Sequence, residues 1–169
     1  MMGDPILRQK CKKVGKLTKG LRALVDDMVD TMHDANGIGL AAPQIGVPLR
    51  IIVAQIPDDI EDDPAAGELF VVYNPEIVKS SGEHFPEEGC LSIPGYVANV
   101  RRAHDIVVTG KDRRGKDQRV RASGRLAQVF QHEIDHIDGI LFIDRLDSLD
   151  ELRKVEREPE PAAATAAKA

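Results

Sequence analysis

The chain of 169 residues has no tryptophan, only two tyrosines and only four phenylalanines. Its core must therefore be aliphatic, and an aromatic platform for stacking single-stranded nucleic acid is not expected. Cysteine is equally scarce, with only Cys11 and Cys90. A four-cysteine zinc site and a disulfide-stapled scaffold are excluded. No apolar run approaches the ~20 residues that span a bilayer. The longest, at 51–56 and 69–73, are strand-sized, so no membrane partner is expected. There is no basic excess either: 23 Lys and Arg stand against 28 Asp and Glu, a net charge of −5. Such a chain is a poor generic binder of nucleic acid, and direct nucleic-acid binding is not expected. The first seven residues carry no charged-then-apolar leader pattern, which leads us to expect a cytoplasmic protein with two reduced thiols.

What is present fits one globular domain over residues 1–157, followed by a Pro/Ala-rich tail at 158–169 expected to be disordered. Leu21, Leu24, Val25, Met28, Val29 and Met32 recur at helical spacing, with Thr18 as N-cap and a stop near Asn36 and Gly37. Residues 50–56, 69–78, 96–100, 105–111 and 118–122 read as strands, with a hairpin turn at 113–116. Residues 57–68 and 86–95 read as loops. A second helix is expected from the Ser123 cap to about Ile137, and a short C-terminal helix over 149–157. The fold class is α+β: short antiparallel or mixed strands around a central helix, with helices at either end of the chain.

That central helix carries His132-Glu-Ile-Asp-His136. Residues at i and i+4 are offset by about 40°, so both imidazoles point the same way and can hold one ion. Glu133 lies beside them, placed to handle the protons of a bound water. On the helical wheel Leu126, Phe130, Ile134 and Ile137 form the apolar stripe. Val129 shares the histidine flank. Asp135 falls on the far side, where it reads as a surface or structural salt bridge.

Two protein ligands are too few for a catalytic metal, which usually has three and an open position. Cys90, in Glu87-Glu-Gly-Cys-Leu-Ser-Ile-Pro94, is a reasonable third: a thiolate and two imidazoles suit Zn²⁺ or Fe²⁺. Cys11 sits among Lys10, Lys12 and Lys13 and reads as a solvated thiol. His33, His84 and His104 lie outside these motifs and read as surface or structural.

Three segments together, Gly37-Ile-Gly-Leu-Ala-Ala-Pro-Gln44, Glu88-Gly-Cys-Leu-Ser92 and Gln131-His-Glu-Ile-Asp-His136, resemble the peptide deformylase family in order and separation. The resemblance runs from about Asp4 to Leu146. It implies a metal-dependent hydrolase that removes the formyl group from N-terminal formyl-methionine of nascent polypeptides and releases formate. It implies one divalent metal per chain on Cys90, His132 and His136, with Fe²⁺ native and Zn²⁺, Ni²⁺ or Co²⁺ able to replace it. Glu133 becomes the general base, and the Gln44 amide and Leu91 N–H become donors to the developing oxyanion. Substrate contacts are expected from Ile38, Gly39, Glu88, Gly89 and Val129, with Gly37 and Gly39 letting a peptide approach the backbone. Arg125 and Gln128 depart from common family patterns, which leaves the second-residue preference open. Asp135 and Arg102 match positions that pair in relatives, and the pair reads as structural. The substrate implies transient work beside the ribosome, but the C-terminal segment, short and mixed in charge, gives no sign of an anchor to it.

Two other readings compete. A zinc peptidase of the H-E-x-x-H type needs a third ligand downstream of His136, and none is convincing. A non-catalytic iron or thiol sensor built on Cys90 has no need of Glu133 or Gln44.

Overall fold

The structure, a computed structural model, describes residues 3–60 and 63–155. The expected tail at 158–169 lies outside these residues. Helix α1 spans Lys19–Asp34. Thr18 caps it, its hydroxyl accepting from the Leu21 N–H at 3.2 Å, as Thr does at helix starts. The helix stops where Asn36 turns to a φ of 52°, and the Gly37 N–H reaches back to the Met32 carbonyl at 2.9 Å. This wrap satisfies carbonyls that the last turn leaves free.

The strands are β1 (Gly39–Ala41), β2 (Ile51–Gln55), β3 (Leu69–Ser81), β4 (Glu87–Cys90), β5 (Ile93–Asn99), β6 (Asp105–Lys111), β7 (Asp117–Ser123) and β8 (Arg153–Lys154). Helix α2 covers Gly124–Ile137. Five strands form an antiparallel sheet in the order β1-β2-β3-β6-β7, and three form a second sheet, β4-β5-β8. The large sheet is covered on both faces. From β2, Ile52 and Ala54 pack with Leu126, Phe130 and Ile134 of α2, while Ile51 and Val53 pack with Val25, Met28 and Met32 of α1. Burial on both faces is why 51–56 is a continuous apolar run rather than an alternating one. Phe130 is wholly buried and meets Phe70 edge-on at 5.5 Å, a burial worth about 1.5–3 kcal/mol. Ile93 and Ala98 of the small sheet pack with Val100 and with Leu141 and Phe142 of the segment after α2, and Phe142 stacks on His132 of α2 at 6.2 Å.

Three local expectations change, at 86–95, at the C-terminus and at Cys11. The segment 86–95 is not a loop but the β4–β5 hairpin, with Leu91 and Ser92 at its tip. Its glycines serve the hairpin; Gly95, at φ 80°, sits within β5. Part of 37–44 is an edge strand, β1, running into a 3₁₀ turn over Ala42–Ile45. At the C-terminus, a 3₁₀ turn at Leu149–Glu151 is followed by β8, where 149–157 was expected to be helical. A segment this short has little helix stability of its own in water. The open edge of β5 offers Val97 and Tyr96 as partners for Arg153 and Lys154. Cys11 is not a solvated thiol: it is 5% exposed and its N–H bonds to the Ile137 carbonyl at 2.8 Å. The chain crosses the end of α2 here, turning Cys11 and Val14 inward while Lys10, Lys12 and Lys13 stay outside.

Candidate metal centre

Helix α2 lies between the two sheets, so its polar motif is buried along with its apolar stripe. His132 and His136 stand on successive turns with ring centres 4.9 Å apart. The β4–β5 hairpin brings Cys90 to them, with its Sγ 3.2 Å from His136 Nε2. One donor atom from each of Cys90, His132 and His136 lies within 4.8 Å of the others. The structure thus brings together the three residues expected to be ligands.

The surroundings fit a cation. The His132 Nδ1 is 2.9 Å from Glu88 Oε2, which places the proton on Nδ1 and leaves Nε2 to face Cys90. Burial, reinforced by neighbouring His132 and Arg102, pushes the His136 pKa down to about 3, so its ring is neutral, the form that binds metal. The Ser92 N–H points at Cys90 Sγ from 3.4 Å. Glu133 is 4% exposed and its Oε2 has no hydrogen-bond partner. A buried carboxylate oxygen without a partner is rare, and a water held beside an ion on Cys90, His132 and His136 would satisfy it. Burial raises the Glu133 pKa, against the lowering effect of His132, to about 7, close to what a general base at neutral pH needs.

Beneath the histidines runs a buried ion network. Arg102 donates to both Glu88 oxygens, at 2.7 and 2.9 Å, and to Asp135 at 2.6 Å. Arg145 meets the other Asp135 oxygen at 2.5 Å. Burial works against the Glu88 charge, but the hydrogen bonds from Arg102 and His132 outweigh it and hold the Glu88 pKa down at about 2. Glu88 lines the groove as expected, while its carboxylate, with the side chain 1% exposed, turns inward to hold His132. Asp135, 6% exposed, is the structural ion-pair partner of Arg102, the buried one of its two expected roles. The second sheet covers the side of α2 that carries Asp135, which decides for the structural role.

A groove of about 420 Å³ opens beside the centre. Ile38, Gly39, Glu88, Gly89, Leu91 and Val129 line it as expected positions, and Gln128 joins them. Arg125 is exposed and lies outside the lining. Gln44 lies at the end of β1's 3₁₀ turn. Its Oε1 accepts from the Ala41 N–H at 2.8 Å, which aims Nε2 at Ser92 Oγ (3.3 Å) and Cys90 Sγ (3.8 Å). Gly39 is small for a reason other than substrate approach alone: a Cβ there meets Glu133 Oε1 at 2.5 Å and Val129 Cγ1 at 2.8 Å. Sequence reasoning missed Ser92, Tyr96 and Val155, of which Tyr96 and Val155 line the rim. Ser92 was inside a quoted motif, but nothing marked its N–H as a thiolate donor. Tyr96 and Val155 are joined only by the β5–β8 pairing, which no local signal announces.

A thiolate, two imidazoles and an adjacent carboxylate on an H-E-x-x-H helix, inside an α+β fold, define a mononuclear metal hydrolase. The family profile described as polypeptide deformylase matches residues 1–152. A peptide deformylase of Dehalococcoides mccartyi is 46% identical over 152 residues, 90% of this chain and 87% of that protein. Among solved structures, a peptide deformylase from Legionella pneumophila superposes with a TM-score of 0.81 at 47% identity, covering 89% of this chain and 85% of that one. A class I type b peptide deformylase from Acinetobacter baumannii, solved with Met-Ala-Ser bound, gives 0.80 at 34% identity, covering 85% and 94%. The chain belongs to the polypeptide deformylase family.

Proposed function

We propose that this chain hydrolyses the N-formyl group from formyl-methionine at the start of nascent polypeptides, yielding formate and a free amino terminus. The observation that carries this reading is the convergence of Cys90, His132 and His136 beside a buried, unpartnered Glu133 carboxylate oxygen. The donor set of one thiolate and two imidazoles suits Fe²⁺, Zn²⁺, Ni²⁺ or Co²⁺; Fe²⁺ is the resident ion we propose, following the family resemblance. Bound there, a divalent ion supplies Lewis acidity, acidifying water and polarising the formyl carbonyl.

The chain's own residues do the rest. Glu133 takes a proton from the attacking water as its oxygen bonds to the formyl carbon. Charge then builds on the formyl oxygen, where the Gln44 Nε2 and the Leu91 N–H at the hairpin tip are the donors we assign. Losing one such donor costs about 10²–10³ in rate. Glu133 returns the proton to the leaving amine as the C–N bond breaks, and formate departs. The apolar walls from Ile38 and Val129 suit a methionine side chain. The extended peptide runs along the groove, where the edge of β1 offers main-chain groups that do not discriminate side chains. The bound Met-Ala-Ser of the Acinetobacter baumannii protein is the kind of chain this groove admits.

Among the described residues no helix is long and apolar enough to cross a membrane, and cytoplasmic work on nascent chains is the setting we propose. The test is anaerobic purification, metal analysis, and formate release from formyl-Met-Ala-Ser against cleavage of unformylated Met-Ala-Ser. Formate from the first and no cleavage of the second is expected. Cleavage of internal peptide bonds makes the chain a peptidase, and metal binding with no turnover makes it a sensor.

A further inference from the structure

Helix α1 covers only part of its face of the large sheet, packing over β1 and β2 and reaching Val71 and Tyr73 of β3. Tyr73 points to that side and pairs with Lys111. Strand alternation then puts Thr109 and Val107 of β6, with their partners Arg119 and Arg121 of β7, on the same face. Lys79 of β3 pairs with Val107 and completes the row. Arg119, Arg121 and Lys79 are exposed.

The acidic groups here are already engaged. Glu76 pairs with Lys13 at 3.0 Å and Asp117 with Lys111 at 2.8 Å. Asp105 bonds Ser123 and His104, and Asp112 accepts the turn N–H groups of Arg114 and Lys116. Among the described residues, Lys79, Arg114, Lys116, Arg119, Arg121 and Arg125 have no acidic oxygen within 4.0 Å. Residues 111–125 hold seven basic and two acidic residues, a net charge of +5 in a chain of −5. The chain-wide sum hides a cationic surface.

We propose that this uncovered sheet face, with the β6–β7 turn, docks on the phosphate backbone of RNA without reading its sequence. Arg119 and Arg121, two residues apart on one strand, stand roughly 6.7 Å apart on one face, and the guanidinium fork suits phosphate oxygens. No aromatic lies in the row, so stacking and base readout have no means here, and contact with phosphate remains. Basic residues on an edge strand also deter pairing between sheets, but that role ends at β7, whereas Lys79 lies two strands further in. Beside Lys79, Ile77 and Val78 are the exposed large apolar residues, too few to form the apolar face that enters a lipid surface. RNA rather than DNA rests on the proposed substrate, because a nascent chain is delivered by an RNA-rich machine. Glu133, His132 and His136 lie on α2 and Cys90 on β4, across the large sheet from this face, so docking leaves the peptide groove open.

The experiment is fluorescence anisotropy of a labelled 20-base-pair RNA duplex of mixed sequence with the full chain, across a potassium chloride series. Binding is expected to weaken steeply with salt, with about 0.7–0.9 units of log–log slope per phosphate contact. A triple variant, Lys79→Glu, Arg119→Glu and Arg121→Glu, should bind at least tenfold more weakly and lose about two to three units of slope. A charge-matched triple elsewhere, Lys10→Glu, Lys12→Glu and Lys16→Glu, should bind as the parent does. Circular dichroism and formate release unchanged in both triples show that the fold is intact, and binding is read independently of turnover. The proposal is overturned by no binding at low salt, by equal loss in both triples, or by polyglutamate or anionic vesicles binding as tightly as the RNA.

Discussion

Glu88 Oε2 accepts a hydrogen bond from His132 Nδ1 at 2.9 Å, while Arg102 grips both oxygens of the same carboxylate. One buried side chain thereby orients a metal-ligand imidazole and is itself held in place from β4, α2 and the segment before β6. The Glu88 position lines the groove, and its carboxylate belongs to the framework of the metal centre.

Replacing Glu88 by Ala should therefore lower metal affinity by about 10–100-fold. It should also cost about 3–5 kcal/mol of stability, because Arg102 loses one of its two buried partners. Competition with a chelator reads the first and urea unfolding of the metal-free chain reads the second. Glu88→Gln, which keeps an acceptor for His132, should recover part of the affinity. Unchanged metal retention in Glu88→Ala removes this residue from the centre.

Gly39 has no room for a methyl group, since a Cβ sits 2.5 Å from Glu133 Oε1 and 2.8 Å from Val129 Cγ1. Gly39→Ala should displace the Glu133 carboxylate and cost about 1–3 kcal/mol in stability. The expected kinetic signature is a fall in kcat with metal content retained, measured by formate release and metal analysis. Full activity in Gly39→Ala shows that the carboxylate tolerates the shift.

The two thiols should differ in reach. Burial pushes the Cys11 thiol above its ordinary value of 9.0, with Arg50 opposing, whereas Cys90 borders the groove. A thiol reagent at pH 8 should modify one cysteine of the metal-free native chain, Cys90, and both once urea is added. The raised value also has a sign: the neutral thiol is favoured in the folded state. Its stabilising effect is present below pH 9 and is lost as pH rises through the folded value. Rapid native labelling of Cys11 contradicts its placement.

Much of the centre was legible because its signal is short-range. His132 and His136 sit four residues apart on a helix, and helical geometry alone aligns them. Cys90 is 42 residues upstream and needed the hairpin, so it was one candidate among few until the resemblance to a family weighed in. What local pattern hid was direction. Asp135 was left between a surface and a structural salt bridge until the second sheet covered it, and Cys11 took its character from neighbouring lysines that point the other way. Residues 149–155 carry apolar side chains at a spacing a helix also uses, and the free edge of β5 decided against it. The net charge of −5 concealed the cationic half of the sheet, because a sum carries no positions.

The central claim is that Glu133 moves the protons of the hydrolysis while Cys90, His132 and His136 hold the ion. The most direct measurement is formate release from formyl-Met-Ala-Ser by Glu133→Ala, with bound metal quantified on the same sample. The account predicts a full complement of metal and turnover reduced by about 10²–10⁴-fold, the range of a lost general base. Near-normal turnover with metal in place contradicts it.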